Sequence, residues 1–91
     1  MNLFVETRGR GPDVVMLHGW GLHGGVFSHV ADRLAEHYCV HLVDLPGHGA
    51  SAPLPQFDAD QVADLLDRQF PLPVHVVGWS LGGLIGQHWA A

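Results

Sequence analysis

The sequence has little positive charge and only one cysteine. Its 91 residues contain four Lys and Arg against nine Asp and Glu, which gives a formal net charge of -5. Proteins that bind nucleic acid neutralise phosphates with basic side chains, so we expect no nucleic-acid partner. The single cysteine, Cys39, has no partner for an internal disulfide, which is typical of a reducing compartment. We therefore expect a cytoplasmic protein.

Long apolar runs and metal-binding motifs are also missing. No run of about 18 apolar residues is present, and the N-terminus lacks the basic region and apolar core of a secretory signal, so we expect no membrane association. The eight histidines raise the question of a metal site. However, His37 and His41 straddle a predicted helix end and a strand, and no zinc-binding motif surrounds them. We interpret the histidines as scattered surface imidazoles and expect no metal ion or other cofactor.

Apolar residues predict strands and helices that alternate along the chain. The predicted order is β-β-α-β-α-β-α, with strands over residues 3–7, 14–17, 39–45 and 74–77. We expect the first two strands to form a hairpin, and the last to be a short core strand whose outer edge is left unpaired. Strands separated by helices of about ten or more residues indicate right-handed crossovers. The predicted fold is therefore α/β, a mostly parallel sheet with flanking helices.

Each predicted helix has its own signal. The first begins near the glycines at 24 and 25 and carries one wide apolar stripe, formed by Val26, Phe27, Val30, Ala31, Leu34, Ala35 and Tyr38. For the second, Asp58 and Gln61 resemble a capping box. The third begins near Leu81 and is cut by the chain end at Ala91, without a C-cap glycine. Because α/β architectures normally need more than about 100 residues, we interpret residues 1–91 as one incomplete domain.

The loop after the second strand contains three glycines in the pattern G-x-G-x-x-G. Gly19, Gly21 and Gly24 are followed twenty residues later by Asp44, after the next strand. This arrangement is typical of a dinucleotide-binding loop, in which the acidic residue binds a ribose hydroxyl. The bulk of Trp20 between the first two glycines opposes that interpretation, and Asp44 is also suited to brace the turn that follows it.

A second loop, GWSLG at residues 78–82, has the pattern G-x-S-x-G between a strand and a helix. In this context the serine is typical of a nucleophile on a strained turn, and Gly78 and Gly82 let the neighbouring backbone come close. The predicted nucleophile is Ser80. Two backbone N–H groups, those of Leu81 and Trp20, are the candidate donors for the oxyanion of an acyl-transfer reaction.

Other residues in these loops receive supporting roles. We expect His18 to be a structural hydrogen-bonding residue that, with Gly19, holds the first loop in place. Trp79 is a candidate pocket wall. His48 and Ser51 are assigned no chemistry.

Three motifs in order, HGWG at 18–21, LVDLPGHGAS at 42–51 and GWSLGG at 78–83, resemble those of the α/β-hydrolase superfamily. With their tryptophans they are similar, more narrowly, to the pimeloyl-acyl carrier protein methyl ester esterases of biotin synthesis. The resemblance covers essentially the whole chain and the first third of such an enzyme. It implies a serine carboxylesterase, with Ser80 as nucleophile, an acyl-serine intermediate and no cofactor, acting on a carrier-bound or small ester as a monomer.

The same resemblance places the catalytic Asp and His later in the chain than Ser80. His88 cannot replace that histidine, because eight residues of helix separate it from Ser80 by about 12 Å. We therefore expect the 91-residue chain to be inactive by itself. Three alternatives remain open: a different small-ester or C–C bond hydrolase, a dinucleotide-binding module, and a non-catalytic hydrolase-like binding protein.

Overall fold

The apolar segments form four strands and three helices in the computed structural model, which describes residues 3–90. The strands β1 to β4 span Phe4–Arg8, Asp13–Leu17, Cys39–Asp44 and His75–Gly78. The helices α1 to α3 span Ser28–Leu34, Ala59–Gln69 and Leu81–Ala90, and a short 3₁₀ helix, Gly24–Phe27, precedes α1. Leaving aside the 3₁₀ helix, the element order is the predicted one.

The strands lie in the order β1-β3-β2-β4. Strand β2 is parallel to both β3 and β4, whereas β1 is antiparallel to β3. The predicted hairpin between the first two strands is therefore wrong. The turn after β1 instead crosses the amino end of β3, where a Cβ on Gly9 would lie 2.4 Å from the carbonyl oxygens of Ala35 and Tyr38. This crossing places β3 between β1 and β2, so that β2 has parallel neighbours on both sides.

The two faces of the sheet pack against different helices. One face, with Val15, Leu17, Val43 and Leu45, packs against apolar residues of α2 and α3. The opposite face packs against α1 and the segment around it, through Val14, Met16, Val40 and Leu42. Because both faces of β2 and β3 are covered, these strands read as nearly continuous apolar runs.

The first helix is shorter and less buried than its sequence predicts. Five residues of the predicted apolar stripe pack against the sheet: Phe27, Ala31, Leu34, Ala35 and Tyr38. The other two, Val26 and Val30, are 48% and 53% exposed. The predicted stripe is therefore wrong only for the two valines, which lie to one side of the packed face.

The cap of α2 and the environment of β4 also differ from the predictions. The carboxylate of Asp58 accepts a hydrogen bond from the Asp60 N–H at 2.8 Å, rather than forming the predicted capping box with Gln61. All four residues of β4 are exposed. Within residues 3–90, β4 pairs only with β2, so its outer edge is unpaired, as predicted, but the prediction that its residues belong to the core is wrong here. None of the helices in this range has the length and apolar character needed to cross a membrane.

Candidate active site

The turn between β4 and α3 is strained at Ser80. Within residues 3–90 this is the only non-glycine residue with a positive φ, which is 54°. Residues with a side chain rarely adopt this backbone conformation, and it persists only where the surrounding structure enforces it. Two glycines provide that enforcement: a Cβ on Gly78 would lie 2.5 Å from the Gly82 carbonyl oxygen, and a Cβ on Gly82 would lie 2.1 Å from that of Leu17. The backbone on both sides of the serine is therefore closely packed.

The structure brings this turn against the first glycine loop. The Trp79 N–H donates to the Leu17 carbonyl oxygen at 3.0 Å, which ties the turn to the end of β2. A Cβ on Gly19 would lie 3.5 Å from the Cβ of Ser80 and 3.0 Å from the Trp79 ring. Leu81 is the first residue of α3, where backbone N–H groups have no partner within the helix. The loop carrying Trp20 and the N-terminus of α3 thus adjoin beside one serine.

His18 lies buried beneath the first loop, with both ring nitrogens engaged. Its Nε2 accepts a hydrogen bond from the Leu45 N–H at 2.9 Å, and its Nδ1–H donates to the Gly19 carbonyl oxygen at 2.7 Å. Burial lowers the pKa of His18, which favours the neutral ring that these bonds require. The imidazole links the ends of β2 and β3 and has no free nitrogen with which to act as a base.

Asp44 is committed to the backbone at the end of β3. Its Oδ1 accepts from the Gly24 N–H at 2.7 Å and its Oδ2 from the Ala50 N–H at 2.9 Å. The residue is only 7% exposed, and a Cβ on Gly49 would lie 2.3 Å from Oδ2. Because both oxygens already hold loop amides, the carboxylate is not presented to a ribose. The dinucleotide-binding alternative is not favoured.

The two tryptophans near the serine are exposed, Trp20 by 67% and Trp79 by 65%. The Trp20 ring meets His48 and Phe57 edge-on, at centroid distances of 5.1 and 5.6 Å. These three residues share a cleft of about 470 Å³ with Leu54 and other apolar side chains. The sequence missed this cluster. Phe57 belongs to no recognisable motif. His48, whose Nδ1 bonds the Pro46 carbonyl oxygen, lies in a loop, and its position beside Trp20 and Phe57 depends on how that loop folds.

A second polar cluster lies at the opposite edge of the sheet, where Asp13, Cys39 and His41 come together. The expectation of scattered surface imidazoles is wrong for His18 and His48, which are buried, and for His41, whose side chain is only 15% exposed. Burial raises the pKa of the Cys39 thiol, and the hydrogen bond from His41 lowers the pKa of Asp13. Cys39 and His41 are two residues apart on a strand and so share a face, a signal that the sequence contained.

The last helix carries a further histidine, His88, whose Nε2 contacts the Asp60 carboxylate on α2. This contact joins two helices on the surface. It gives His88 no part in the geometry at Ser80.

Comparison with known proteins identifies the fold family. Residues 14–91 match the family described as alpha/beta hydrolase. The chain belongs to the alpha/beta hydrolase family. The structure of an esterase from a marine microorganism superposes with a TM-score of 0.92 at 26% identity, over 98% of this chain and 36% of its own.

Curated alpha/beta hydrolase relatives are similar over nearly the whole chain. A pimeloyl-[acyl-carrier protein] methyl ester esterase from Chromobacterium violaceum is 79% identical over 91 residues, which is all of this chain and 36% of the relative. The enzyme of the same name from Methylococcus capsulatus is 47% identical over 85 residues, covering 93% of this chain and 34% of the relative. The chain thus spans about a third of the length of these relatives.

Proposed function

We propose that the protein is a serine carboxylesterase that removes the methyl group from a pimeloyl ester carried on acyl carrier protein, a step of biotin synthesis. One observation carries the proposal: Ser80 sits at a positive φ between two closely packed glycines, at the carboxyl edge of the sheet. The substrate assignment is supported by the names of the relatives that match nearly the whole chain. The proposal treats residues 1–91 as part of a single alpha/beta-hydrolase domain.

In this proposal the Ser80 hydroxyl attacks the ester carbonyl. Methanol leaves with a proton, and water then hydrolyses the acyl-serine to release the carboxylate and restore the hydroxyl. A general base must accept the serine proton. The family resemblance places this histidine later in the chain than Ser80. His88 contacts Asp60, and His18 and His48 are also bonded to other groups, so we assign the base to a histidine outside residues 3–90.

The N–H groups of Trp20 and Leu81 are the proposed oxyanion donors. Donors of this kind stabilise charge that develops only in the transition state. Losing one donor reduces this transition-state stabilisation by about 3 to 4 kcal/mol. The contact between the Gly19 and Ser80 positions supports this pairing, because it places the two loops side by side. His18, through its bond to the Gly19 carbonyl oxygen, is a proposed positioning residue for the Trp20 loop.

The exposed tryptophans are the proposed walls of the substrate pocket. Trp20 also lines the cleft of about 470 Å³, whose apolar side chains, including Leu54 and Phe57, suit an alkyl chain. We assign that cleft to the acyl chain of the substrate, and we assign Trp79, whose ring adjoins Gly19, to the pocket wall beside the serine. We further propose that the enzyme acts in the cytoplasm as a monomer.

A fluorophosphonate probe tests the nucleophile in the protein expressed from its whole gene. We expect a single covalent adduct on Ser80, located by peptide mass spectrometry. Ser80→Ala should abolish labelling and lower kcat for the carrier-bound methyl ester by about 10⁴-fold or more. Ser28→Ala, which changes a serine on α1, is the matched control and should label normally. Labelling that survives Ser80→Ala would overturn the assignment of the nucleophile.

The substrate needs a separate measurement. We expect kcat/KM for methyl pimeloyl-acyl carrier protein to exceed that for p-nitrophenyl acetate. An enzyme that labels at Ser80 but leaves the carrier-bound methyl ester intact would be a hydrolase with a different substrate, and that part of the proposal would be wrong.

A further inference from the structure

A group of metal-binding side chains lies at the amino edge of the sheet, away from Ser80. Asp13 opens β2 and Cys39 opens β3, and the parallel register makes these two residues direct neighbours. His41 follows two residues after Cys39 and therefore projects from the same face of the strand. The sheet alone thus places a carboxylate, a thiol and an imidazole together.

The donor atoms of these three residues converge on one point. Their ligand atoms all lie within 4.8 Å of one another. The His41 Nε2 is 2.8 Å from Asp13 Oδ1 and 3.7 Å from Cys39 Sγ. In a Cys–His–Asp relay for nucleophilic catalysis, the thiol and the carboxylate face opposite ring nitrogens. Here both face the same nitrogen, so the arrangement suits a shared ion rather than a proton relay.

Neighbouring side chains hold the imidazole in this orientation. The Thr7 hydroxyl on β1 lies 3.0 Å from the His41 Nδ1, and the Phe70 ring packs at a centroid distance of 5.0 Å. Histidines that bind metal ions commonly engage their other ring nitrogen in this way, which fixes the tautomer. An ion would take the place of the Nε2 proton that His41 donates to Asp13, and the remaining proton on Nδ1 can then be donated to the Thr7 hydroxyl.

The ligand types select zinc over the other common divalent ions. Magnesium and calcium take oxygen ligands, whereas a thiolate, an imidazole and a carboxylate form a zinc set. Zinc–ligand bond lengths in a tetrahedron separate nitrogen from sulfur by about 3.5 Å and nitrogen from oxygen by about 3.4 Å. The sulfur already lies at nearly that separation. The Asp13 oxygen must move outward by about 0.6 Å, which its side chain, 44% exposed, is free to do.

Solvent reaches this group through an open cleft. The cleft has a volume of about 450 Å³ and is lined by Thr7, Asp13, His41 and Phe70, together with residues that follow α2. An ion can enter by this route, and a water molecule can occupy a fourth position. Three protein ligands with water in the fourth position are a coordination that zinc adopts in proteins.

We propose that Asp13, Cys39 and His41 bind one zinc ion, with water as the fourth ligand. The ion would join the first residue of β2 to the first residue of β3 and so clamp the amino edge of the sheet. Because the site lies at the other end of the strands from Ser80, it does not depend on the proposed esterase activity.

Metal titration of the protein expressed from its whole gene tests the site. After removal of metal with a chelator, we expect zinc to bind in competition with a chromophoric chelator. Cobalt in its place should give the thiolate-to-metal charge-transfer absorption of a sulfur ligand. Stoichiometric zinc should also raise the melting temperature by several degrees, because the ion binds the folded chain.

Variants assign the binding to these residues. Cys39→Ala should weaken zinc binding about 100-fold or more and abolish the cobalt–sulfur absorption, and Thr7→Val should weaken binding about 10-fold or more. Asp13→Asn changes a half-exposed side chain, so it provides a second ligand variant that should fold. His37→Asn removes an exposed imidazole two residues before Cys39 and is the matched control, with wild-type affinity expected. Absence of zinc binding, or wild-type affinity in both ligand variants, would overturn the proposal.

Discussion

The candidate sites at the two edges of the sheet are built in opposite ways. Around Ser80, at the carboxyl edge, backbone lies against backbone: a Cβ on Gly82 would meet the Leu17 carbonyl oxygen at 2.1 Å, and His18 bonds only to main-chain groups. In the cluster of Asp13, Cys39 and His41, at the amino edge, side chains meet side chains beside an open cleft.

This difference separates a fixed site from an adjustable one. Backbone contacts leave no rotamer to change, so the backbone of Ser80 and the direction of its Cα–Cβ bond are determined by the fold around it. The ligand set at the amino edge instead depends on side-chain rotation, since Asp13 must move before an ion can bind. Catalysis requires positions held within fractions of an ångström, whereas a metal ion can gather its own ligands.

The largest expected effect is the absence of esterase activity in a chain that has Ser80 but no free general base. Because residues 3–90 hold Ser80 in position but keep His18 and His48 bonded elsewhere, we expect the purified 91-residue chain to show no Ser80-dependent turnover of p-nitrophenyl acetate. The Ser80→Ala chain is the control. Turnover by the chain that this substitution abolishes would show that the carboxyl edge is active by itself.

The close backbone contacts at the carboxyl edge can be tested with two glycines of α3. Gly82→Ala places a methyl group 2.1 Å from the Leu17 carbonyl oxygen, so we expect the free energy of unfolding to fall by about 3 kcal/mol or more. In the matched control, Gly83→Ala, the nearest atom lies at 3.4 Å, and the better helix propensity of alanine should keep the change within about 1 kcal/mol. Urea denaturation measures both. If the two variants lost the same free energy of unfolding, the close backbone packing around Gly82 would not distinguish the carboxyl edge from the amino edge.

Substitution of Asp44 tests how much the hydrogen bonds from its carboxylate to the backbone stabilise the carboxyl edge of the sheet. Asp44→Ala leaves the N–H groups of Gly24 and Ala50 without their acceptor, so we expect a loss of about 2 to 4 kcal/mol in the free energy of unfolding. Asp32→Ala, which removes an exposed carboxylate paired with Arg8, should change it little. If the two variants unfold at the same urea concentration, Asp44 does not brace the loops.

The smallest expected effect is a dependence of stability on pH. Because burial lowers the pKa of His18 below the usual value of 6.5, the unfolded chain binds a proton there more readily than the folded chain. This contribution to stability is complete above pH 6.5 and falls as the pH drops from 6.5 towards the folded pKa. Urea midpoints measured at several pH values should therefore fall less steeply in His18→Gln than in the wild type. His29→Asn, at an exposed position, is the control. A wild-type slope in His18→Gln would contradict this origin of the pH dependence.

Local sequence patterns predicted most of the elements because their signals lie within a few residues. The order of strands and helices followed from apolar periodicity, and the strand-to-helix turn at Ser80 followed from its glycines. The pairing of β1 did not, since a short turn such as residues 9–12 usually makes a hairpin and only the packing of Gly9 against Ala35 and Tyr38 redirects it. The aromatic contact of Trp20 with Phe57 was equally out of reach, because it joins two loops far apart in the chain.

By itself the sequence determined the alternation of strands and helices, the position of the candidate nucleophile, and the motifs that resemble those of the family. The tertiary structure alone decided that β3 lies between β1 and β2, that His18 has no free nitrogen, and that Asp13 joins Cys39 and His41. The physical reason is the distance along the chain over which each kind of interaction acts. Backbone preference and apolar periodicity act between near neighbours, whereas strand register and the partners of a buried side chain depend on contacts that form only when distant segments pack together.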